Sequence, residues 1–466
     1  MKPLFTLVAA IAALFATGQH YCGFDAFKEH WLSDAHHAAA FESCEQQVYQ
    51  QLLQKSYRGG GEYVIPVVVH IIHQNGSENI PDEQVENAIE ALNQAFANSG
   101  EFNSPEGTSV PIQFCLAQID PEGNATSGIV RVVSPLTITT IPDQDSDLKA
   151  TSFWDSHLYM NIWVIKSLIR AEGNEGIVGN ATLPASHGEA NDGVIVEAAF
   201  FGAPGSLGKV LVHETGHYLG LFHTFEGGCA NSNCLLQGDR ICDTPPDALG
   251  STLACFDDTN SCTTDDNDTS DNNPFRPVEL GGLGDQPDLQ INYMDYSPPT
   301  CTVMFTEGQA ERMLASLVEI RSSLLEGNRC SGPCSVETVA NVVASEDTVA
   351  LGSDVVFTNL SSGFTSATWY VDENIVSTDE DFVFSADATG NYFIEVVLAN
   401  DEPGCAEELE FNIVVICPAV SAFDASELNI VPGETLVLDN ASVGATEYSW
   451  LLDGVEFSTS TDETLV

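Results

Sequence analysis

Two histidines four residues apart constrain this chain more than any other feature of its sequence. His213 and His217 lie in the apolar segment Val210–His223. On a helix, residues four apart project from the same face, so both imidazoles can reach one metal ion. Gly220 can adopt the positive φ that ends a helix and turns the chain, which returns His223 to the same ion. The segment therefore predicts a helix that ends beside a three-histidine metal site.

Glu214 stands next to the first of these histidines. Three protein ligands leave one position of a tetrahedral zinc ion open, which distinguishes a catalytic from a structural site. A carboxylate beside that position can accept a proton from the water there. The alternative is that the histidines only pack or cap a helix, but such a spacing of three histidines, a glutamate and a glycine rarely arises by chance when the chain has 11 histidines.

The charge balance restricts the partners of the protein. The chain has 466 residues with 14 Lys+Arg against 68 Asp+Glu, a formal net charge of −54, and 43% of it is hydrophobic. This composition predicts a folded protein of two to four domains. It excludes a nucleic-acid or anionic-membrane binder, because both surfaces would repel the chain.

The first residues predict export. Lys2 precedes an apolar run from Leu4 to Phe15 and the small residues Ala16-Thr17-Gly18, which is the pattern of a signal peptide over residues 1–18. No later stretch approaches the roughly 20 apolar residues of a membrane-spanning helix. We therefore expect a secreted, extracellular or cell-surface protein without membrane insertion, in which 13 cysteines form disulfides and the odd number leaves one to explain.

Residues 19–59 are polar, helical in pattern and predicted to form a pro-segment. Arg58 is followed by three glycines, an exposed joint where either an activating cut occurs or an unprocessed linker remains. Cys22 has two interpretations. Its thiolate either fills the open metal position until the segment is removed, as a cysteine switch, or forms a disulfide with Cys44.

Residues 60–330 carry the alternating pattern of a mixed α/β domain. We predict strands over Tyr63–Ile72, Leu158–Ile165 and Val194–Glu197 from their apolar runs, and a helix over Asp82–Phe96 from apolar residues at helical spacing. The strand–helix–strand–strand–helix order predicts a twisted sheet with helices packed on it.

After Cys330 the chain becomes rich in Val, Thr and Ser with frequent turns, which predicts β-sandwich modules. Six residues recur 81 positions later: Gly352, Asn359, Ser361, Trp369, Asp372 and Ser377 as Gly433, Asn440, Ser442, Trp450, Asp453 and Ser458. The repeat predicts one module over 334–416 and an incomplete second over 417–466, so we expect a truncated chain. If Cys334 pairs with Cys405, the partner of Cys417 would lie beyond Val466.

The metal motif and a later turn resemble those of a known family. The pattern His213-Glu214-x-x-His217-x-x-Gly220-x-x-His223, followed by Asn292-Tyr293-Met294-Asp295-Tyr296, resembles the metzincin metallopeptidases with their Met-turn. The segments 64–70, 238–245 and 304–309 make the chain most similar to the pappalysins, which include ulilysin-like and cytophagalysin-like enzymes. The resemblance covers about residues 60–330 and implies an active-site helix followed by an irregular C-terminal subdomain.

The resemblance also implies roles for individual residues. Met294 would form a hydrophobic floor beneath the zinc, the alternative being ordinary core packing. Tyr296 would approach the metal or stabilise the oxyanion, unless it is merely structural. Zinc would polarise the scissile carbonyl and activate water, and Glu214 would carry the proton to the leaving amine.

Related enzymes hold calcium after the zinc helix, which implies Ca²⁺ contributions from Asp239, Asp243 and Thr244. The later acidic stretch 257–271 lacks a recognised loop spacing, so we interpret it as solvated, mobile surface. The family pattern implies the disulfides Cys229–Cys255 and Cys262–Cys301, and the remaining Cys234 and Cys242 could pair with each other.

The C-terminal modules resemble PKD-type or immunoglobulin-like repeats, although Trp369-Tyr370-Val371-Asp372 keeps only part of the usual signature. They are predicted spacers or weak binding modules for an extracellular polymer or cell surface. We predict a secreted zinc metalloendopeptidase, made as a zymogen and acting on proteins or peptides. The alternative is an adhesion or carbohydrate-binding protein with an inactive peptidase-like domain.

Overall fold

The computed structural model describes residues 22–54, 61, 63–171, 176–202, 208–248, 259–298, 301–327, 329–332, 336, 338–400, 405–417, 420–427, 429–445 and 447–465. The predicted signal peptide and Arg58 lie outside these ranges. The chain divides into two compact units, Met1–Pro333 and Cys334–Val466. Within the described ranges, every helix is too short or too polar to cross a lipid bilayer.

In the residues that the structure describes, the first unit combines six α-helices with nine strands. Its helices are α1 (Phe24–Leu32), α2 (Ala35–Gln54), α3 (Asp82–Phe96), α4 (Asp145–Lys149), α5 (Lys209–Tyr218) and α6 (Glu307–Ile320). Its strands are β1 (Tyr63–His73), β2 (Ile112–Leu116), β3 (Ile129–Val133), β4 (Ile138–Ile141), β5 (Met160–Ile165), β6 (Ser167–Arg170), β7 (Gly176–Ile177), β8 (Gly179–Ala181) and β9 (Val194–Glu197).

A mixed sheet forms the centre of this unit, as predicted. Its order is β2-β1-β5-β9-β8, and β3 pairs with the second half of β1. All its pairs are parallel except β8 with β9. The strands β1 and β5 are buried along nearly their whole length, as the continuous apolar runs predicted. A separate sheet of β4, β6 and β7 lies off this path.

The predicted elements of this domain are confirmed within one or two residues at their ends. The helix predicted at Asp82–Phe96 is α3, and Val85, Ala88 and Leu92 are buried in the core beside the sheet. The polar N-terminal segment is helical, as predicted, and folds as the pair α1 and α2. We call residues 22–54 the N-terminal helical segment.

A buried ion pair fixes the end of α5 to the loops around it. The Arg321 guanidinium and the Asp192 carboxylate are fully buried and make two contacts, of 2.5 and 2.9 Å. Arg321 also donates to the carbonyl of Tyr218, the last residue of α5, at 3.0 Å. Burial alone would raise the pKa of Asp192, but the charge of Arg321 and several hydrogen bonds outweigh it and hold the pKa at about 2.

Asp192→Asn is expected to lower the free energy of unfolding by about 3–5 kcal/mol, because it leaves the buried charge of Arg321 without its partner. A carboxyl whose pKa falls on folding stabilises the protein above its unfolded value of about 3.9. That stability is lost as the pH falls towards 2, so the stability difference between wild type and variant should shrink over this interval. Urea unfolding at several pH values measures both effects.

The exposed pair of Asp82 with Arg131 supplies the control, because the Asp82 side chain is 60% exposed. Asp82→Asn should change stability by no more than about 1 kcal/mol. Equal losses of unfolding free energy in the two variants would mean that burial does not strengthen the contribution of the Asp192–Arg321 pair to stability.

Among its described residues, the second unit contains strands and no helix. They are β10 (Val342–Ala344), β11 (Thr348–Ala350), β12 (Asp354–Asn359), β13 (Ser366–Val371), β14 (Asn374–Ser377), β15 (Phe382–Ser385), β16 (Gly390–Ala399), β17 (Glu407–Ile416), β18 (Phe423–Ala425), β19 (Leu436–Asn440), β20 (Trp450–Leu452), β21 (Val455–Ser458) and β22 (Glu463–Leu465). The sheets β10-β12-β15 and β11-β17-β16-β13-β14 share one buried apolar cluster that contains Trp369. The predicted all-β region is therefore confirmed.

The 81-residue repeat extends to hydrogen bonds. Trp369 donates its indole N–H to the carbonyl of Asp379, at 3.0 Å, and Trp450 donates to the carbonyl of Ser460, at 2.9 Å. The amide of Ser361 likewise donates to the side chain of Asn359, as Ser442 does to Asn440. The repeated residues thus make the same local bonds in both copies. Their PKD-type or immunoglobulin-like character stays a prediction.

Both disulfides implied by the family pattern are wrong. The structure joins Cys229 to Cys262, with their Cα atoms 5.3 Å apart. Hydrogen bonds align the two segments, because Thr264 donates to the Cys229 carbonyl and Asn231 to the Asp265 carbonyl. Cys301 is disulfide-bonded elsewhere, and Cys255 lies outside the described residues.

The other cysteines divide into bonded and free thiols. The suggested pair Cys234–Cys242 is confirmed, and a further disulfide, Cys115–Cys330, closes 215 residues of the first unit. Cys405 is bonded, while its predicted partner Cys334 lies outside the described residues. The free cysteines of the described residues are Cys22, Cys44 and Cys417, so the alternative disulfide Cys22–Cys44 does not form.

Candidate metal centre

The predicted helix and turn bring the three histidines together. Helix α5 carries His213 and His217 on one face, and Gly220 takes a φ of 96° two residues beyond its end. The turn returns His223, so that the Nε2 atom of His217 lies 3.1 Å from the Nε2 atoms of both other rings. All three side chains are buried.

The opposite nitrogen of each ring is held by an acceptor. His213 donates from Nδ1 to the carbonyl of Tyr293, at 2.6 Å, and His217 donates to the carbonyl of Leu221, at 2.8 Å. His223 directs Nδ1 at the carboxylate of Asp25, 3.1 Å away. Such partners fix the tautomer that leaves Nε2 with a free lone pair.

Three lone pairs that converge at this distance repel one another unless a cation lies between them. Tetrahedral zinc with nitrogen at about 2.0–2.1 Å requires neighbouring nitrogens about 3.3 Å apart, close to the spacing seen here. Burial is the largest cause that lowers the pKa of His213 to about 3, and it lowers that of His217 well below its ordinary value. Both rings are therefore neutral at pH 7, as metal ligands must be, and the residues fit a zinc ion.

Cys22 completes this cluster from the N-terminal helical segment. One ligand atom from each of Cys22, His213, His217 and His223 lies within 4.8 Å of the others, and no other group of three or more such side chains occurs in the part of the chain that the structure describes. The backbone beside Cys22 is held by β8, because Gly23 donates to the Gly179 carbonyl at 2.9 Å. Of the two interpretations of Cys22, the geometry matches the thiol at the metal position.

Two neighbours of Cys22 were missed by the sequence analysis. The ring of Phe24 stacks on the ring of His217, with 3.7 Å between centroids and 4° between planes. Asp25 holds His223, as described above. Both residues directly follow Cys22-Gly23 at the start of α1. Their position next to the cysteine in the sequence could have indicated that they lie near the metal site. The N-terminal helical segment therefore supplies a thiol, an aromatic cover and a carboxylate to the site.

Glu214 lies in the same buried space. Burial raises the pKa of its carboxyl to about 8, although a hydrogen bond from the Cys22 thiol opposes this rise. A Cβ atom on Gly179 would lie 2.5 Å from the Glu214 carboxyl oxygen. Strand β8 can therefore approach this carboxyl only because a glycine stands at that position.

The predicted Met-turn lies beneath α5. The sulfur of Met294 would be 2.6 Å from a Cβ atom on Gly216, so the helix needs a glycine there. The preceding residue, Tyr293, accepts the hydrogen bond from His213. Tyr296 directs its ring at His223, with 4.6 Å between centroids, and its hydroxyl donates to the carbonyl of Cys22 at 3.4 Å.

The residues proposed for calcium are engaged in local hydrogen bonds. Asp239 accepts from the hydroxyl of Thr244 at 2.7 Å, and burial raises its pKa to about 8. Asp243 accepts from Thr306, at 2.7 Å, and from the amide of Gly308, at 2.9 Å, at the start of α6. Thus Asp239 and Asp243 order two different turns, and calcium stays a prediction.

Part of the later acidic stretch is buried, contrary to its interpretation as solvated surface. Asp265 has no exposed surface, and Asp268 is 5% exposed. Asp268 accepts a hydrogen bond from the amide of Cys234, at 2.8 Å. The disulfides and hydrogen bonds of this irregular region bury these two carboxylates. Their local sequence is acidic and polar, like that of an exposed loop, so it does not indicate that they are buried.

Known proteins match the region that contains this centre. The family model described as pregnancy-associated plasma protein-A, peptidase M43, matches residues 143–318. Extracellular metalloprotease 1 of Coccidioides posadasii is 29% identical over 261 residues, which are 54% of this chain and 76% of that protein. The extracellular metalloprotease of Arthroderma otae is 27% identical over 259 residues, 53% of this chain and 76% of that protein.

A solved structure has the same architecture. A promirolysin variant from Tannerella forsythia aligns with a TM-score of 0.50 and 25% identity, over 66% of this chain and 97% of its own. The family model and the named relatives agree that this region is similar to metallopeptidases. Residues 143–318 therefore match the pappalysin-type metallopeptidase family, and the relatives and this structure resemble the first unit over a longer range.

Proposed function

We propose that the protein is a secreted zinc endopeptidase that hydrolyses peptide bonds of protein substrates and is synthesised in a latent form. The observation that carries this proposal is the convergence of the three histidine rings, with the fully buried Glu214 carboxyl on the same helix. The relatives named extracellular metalloproteases support both the activity and the export.

Zinc held by His213, His217 and His223 would polarise the scissile carbonyl and lower the pKa of water. Glu214 accepts a proton from that water on a carboxylate oxygen and delivers it to the nitrogen of the leaving amine. The Tyr296 hydroxyl, which donates to a backbone carbonyl in this structure, donates in the same way to the substrate carbonyl as negative charge develops on its oxygen.

The N-terminal helical segment keeps the enzyme latent. Its Cys22 sulfur lies within 4.8 Å of a ligand nitrogen of each histidine, so it would occupy the metal position that substrate needs. Phe24 covers His217, and Phe24, Phe27 and Trp31 are buried against the catalytic domain. Activation therefore requires a cut after α2, for which Arg58 remains the candidate, followed by release of the segment. Calcium binding near Asp239 and Asp243 also remains a proposal.

The zinc requirement has a direct test. We expect about one zinc ion per purified chain by elemental analysis, and a large loss of that zinc in His217→Ala. After the segment is cut away, the chain should cut a denatured protein, as mapped by mass spectrometry. A chelator should stop these cuts and zinc should restore them. A protein that is free of its segment, supplied with zinc and calcium and still makes no cuts would favour the adhesion or carbohydrate-binding alternative.

A further inference from the structure

A carboxylate of the N-terminal helical segment lies between two arginines of the catalytic domain. Glu45, on α2, is 6% exposed. Its two carboxyl oxygens accept from the guanidinium of Arg312, on α6, at 2.6 and 2.9 Å. One of them also accepts from Arg240, at 2.6 Å. This contact is separate from the metal ligands, and Glu45 lies on α2 whereas Cys22 precedes α1.

The arginines are held in place by the catalytic domain itself. Arg312 is 2% exposed and donates from Nε to the carbonyl of Gly220, at 2.8 Å. The guanidinium groups of Arg312 and Arg240 both lie over the ring of Phe222, at 5.0 and 5.4 Å from its centroid. Stacking and a backbone hydrogen bond therefore orient the pair from the catalytic side.

Arg240 occupies an uncommon backbone conformation. Its φ is 63°, in the left-handed region where glycine is favoured over residues with a side chain. A residue with a side chain is strained in this conformation, so we infer that the Arg240 side chain has a role that compensates for the strain. In this structure that role is the contact with Glu45.

The arginine pair lies close to the metal centre. Gly220 and Phe222, which contact Arg312, stand between the ligands His217 and His223 in the sequence. Phe222 also adjoins Phe24, with 6.4 Å between ring centroids, and Phe24 stacks on His217. The surface that the N-terminal helical segment covers therefore runs without a break from the metal to the arginines.

We propose that Arg240 and Arg312 form a binding site for a peptide carboxylate, filled by Glu45 in the latent protein and taken by an acidic residue of the substrate once the segment has left. The proposal rests on the proposed endopeptidase function. Release of the segment leaves two adjacent guanidinium groups without the carboxylate that separates them, and a carboxylate relieves their repulsion. With a net charge of −54, the protein as a whole repels acidic peptides, so such a preference needs a local site.

Binding without turnover tests the site itself. Glu214→Ala protein is cut at the joint by an added arginine-specific protease, separated from its segment and titrated calorimetrically with a synthetic peptide of residues 22–54. The Glu45→Gln peptide should bind at least about tenfold more weakly, because a buried charge pair is lost. This difference should shrink in Arg240→Gln protein and persist in Lys166→Gln, which removes an exposed positive charge elsewhere. Equal affinity of the two peptides would overturn the proposal.

Cleavage profiling tests the use of the site by substrates. The activated wild type, digesting a peptide library, should favour Asp or Glu at one fixed distance from the cut, and should lose this preference in Arg240→Gln but not in Lys166→Gln. Cuts without an acidic preference, or with the same preference in Arg240→Gln, would contradict the proposal. An absence of any cut by the wild type would instead count against the endopeptidase function, while the calorimetry still reports on the carboxylate site.

Discussion

Glu214→Ala, freed of its N-terminal helical segment and supplied with zinc, is expected to cleave protein substrates about 10³- to 10⁴-fold more slowly than the wild type. The substitution removes the group that accepts the proton from water and returns it to the leaving amine. The three histidines and their hydrogen-bond partners are untouched, so zinc content should stay the same. Mass-spectrometric mapping of cuts in a denatured protein, with initial rates for the main sites, gives the measurement.

Two controls make this result specific. Glu90→Gln removes an exposed carboxylate on α3, and its rate should equal that of the wild type. Zinc analysis and thermal unfolding show whether Glu214→Ala is intact. Cuts that continue at the wild-type rate in an intact, zinc-loaded Glu214→Ala would assign the proton transfer to another group.

Cys22→Ala is expected to raise the activity of the uncut chain about a hundredfold, which corresponds to about 2.7 kcal/mol of lost stabilisation of the closed state. Its thiol lies within 4.8 Å of a ligand nitrogen of each of the three histidines, and alanine would offer a metal there no ligand. The comparison requires a chain that cannot be cut at the joint, so Arg58 is replaced by glutamine in both proteins. Initial rates on a short fluorogenic peptide provide the readout.

Cys44→Ala is the matched control, because Cys44 is also a buried free thiol of the N-terminal helical segment but lies outside the metal-ligand group. It should remain latent. If Cys22→Ala stays as inactive as the wild type before cutting and becomes active after removal of the segment, latency would instead depend on the contacts of Phe24 and Glu45.

The local parts of this protein were predictable from its sequence. Histidines four residues apart, followed by Gly220, require only one turn of helix and one positive φ to converge, so their spacing predicted the metal site. The apolar runs predicted β1 and β5, since strands that are buried on both faces contain few polar residues. The identities at an offset of 81 residues predicted two copies of one module. The structure shows the same indole hydrogen bond at Trp369 and Trp450, each to a residue only 10 positions away.

The contacts between distant segments were decided by the tertiary structure. From the sequence, Cys22 could have reached either Cys44 or the metal. Only the packing of α1 and β8 against the site brings Cys22 beside His213, although the two residues are 191 positions apart in the sequence. Packing likewise joins Cys229 to Cys262 and encloses Glu45 between Arg240 and Arg312. Spacing along the chain specifies which side chains share one helix face or one turn. It does not specify which of many cysteines or carboxylates will meet when separate elements pack together, because that choice depends on the whole core.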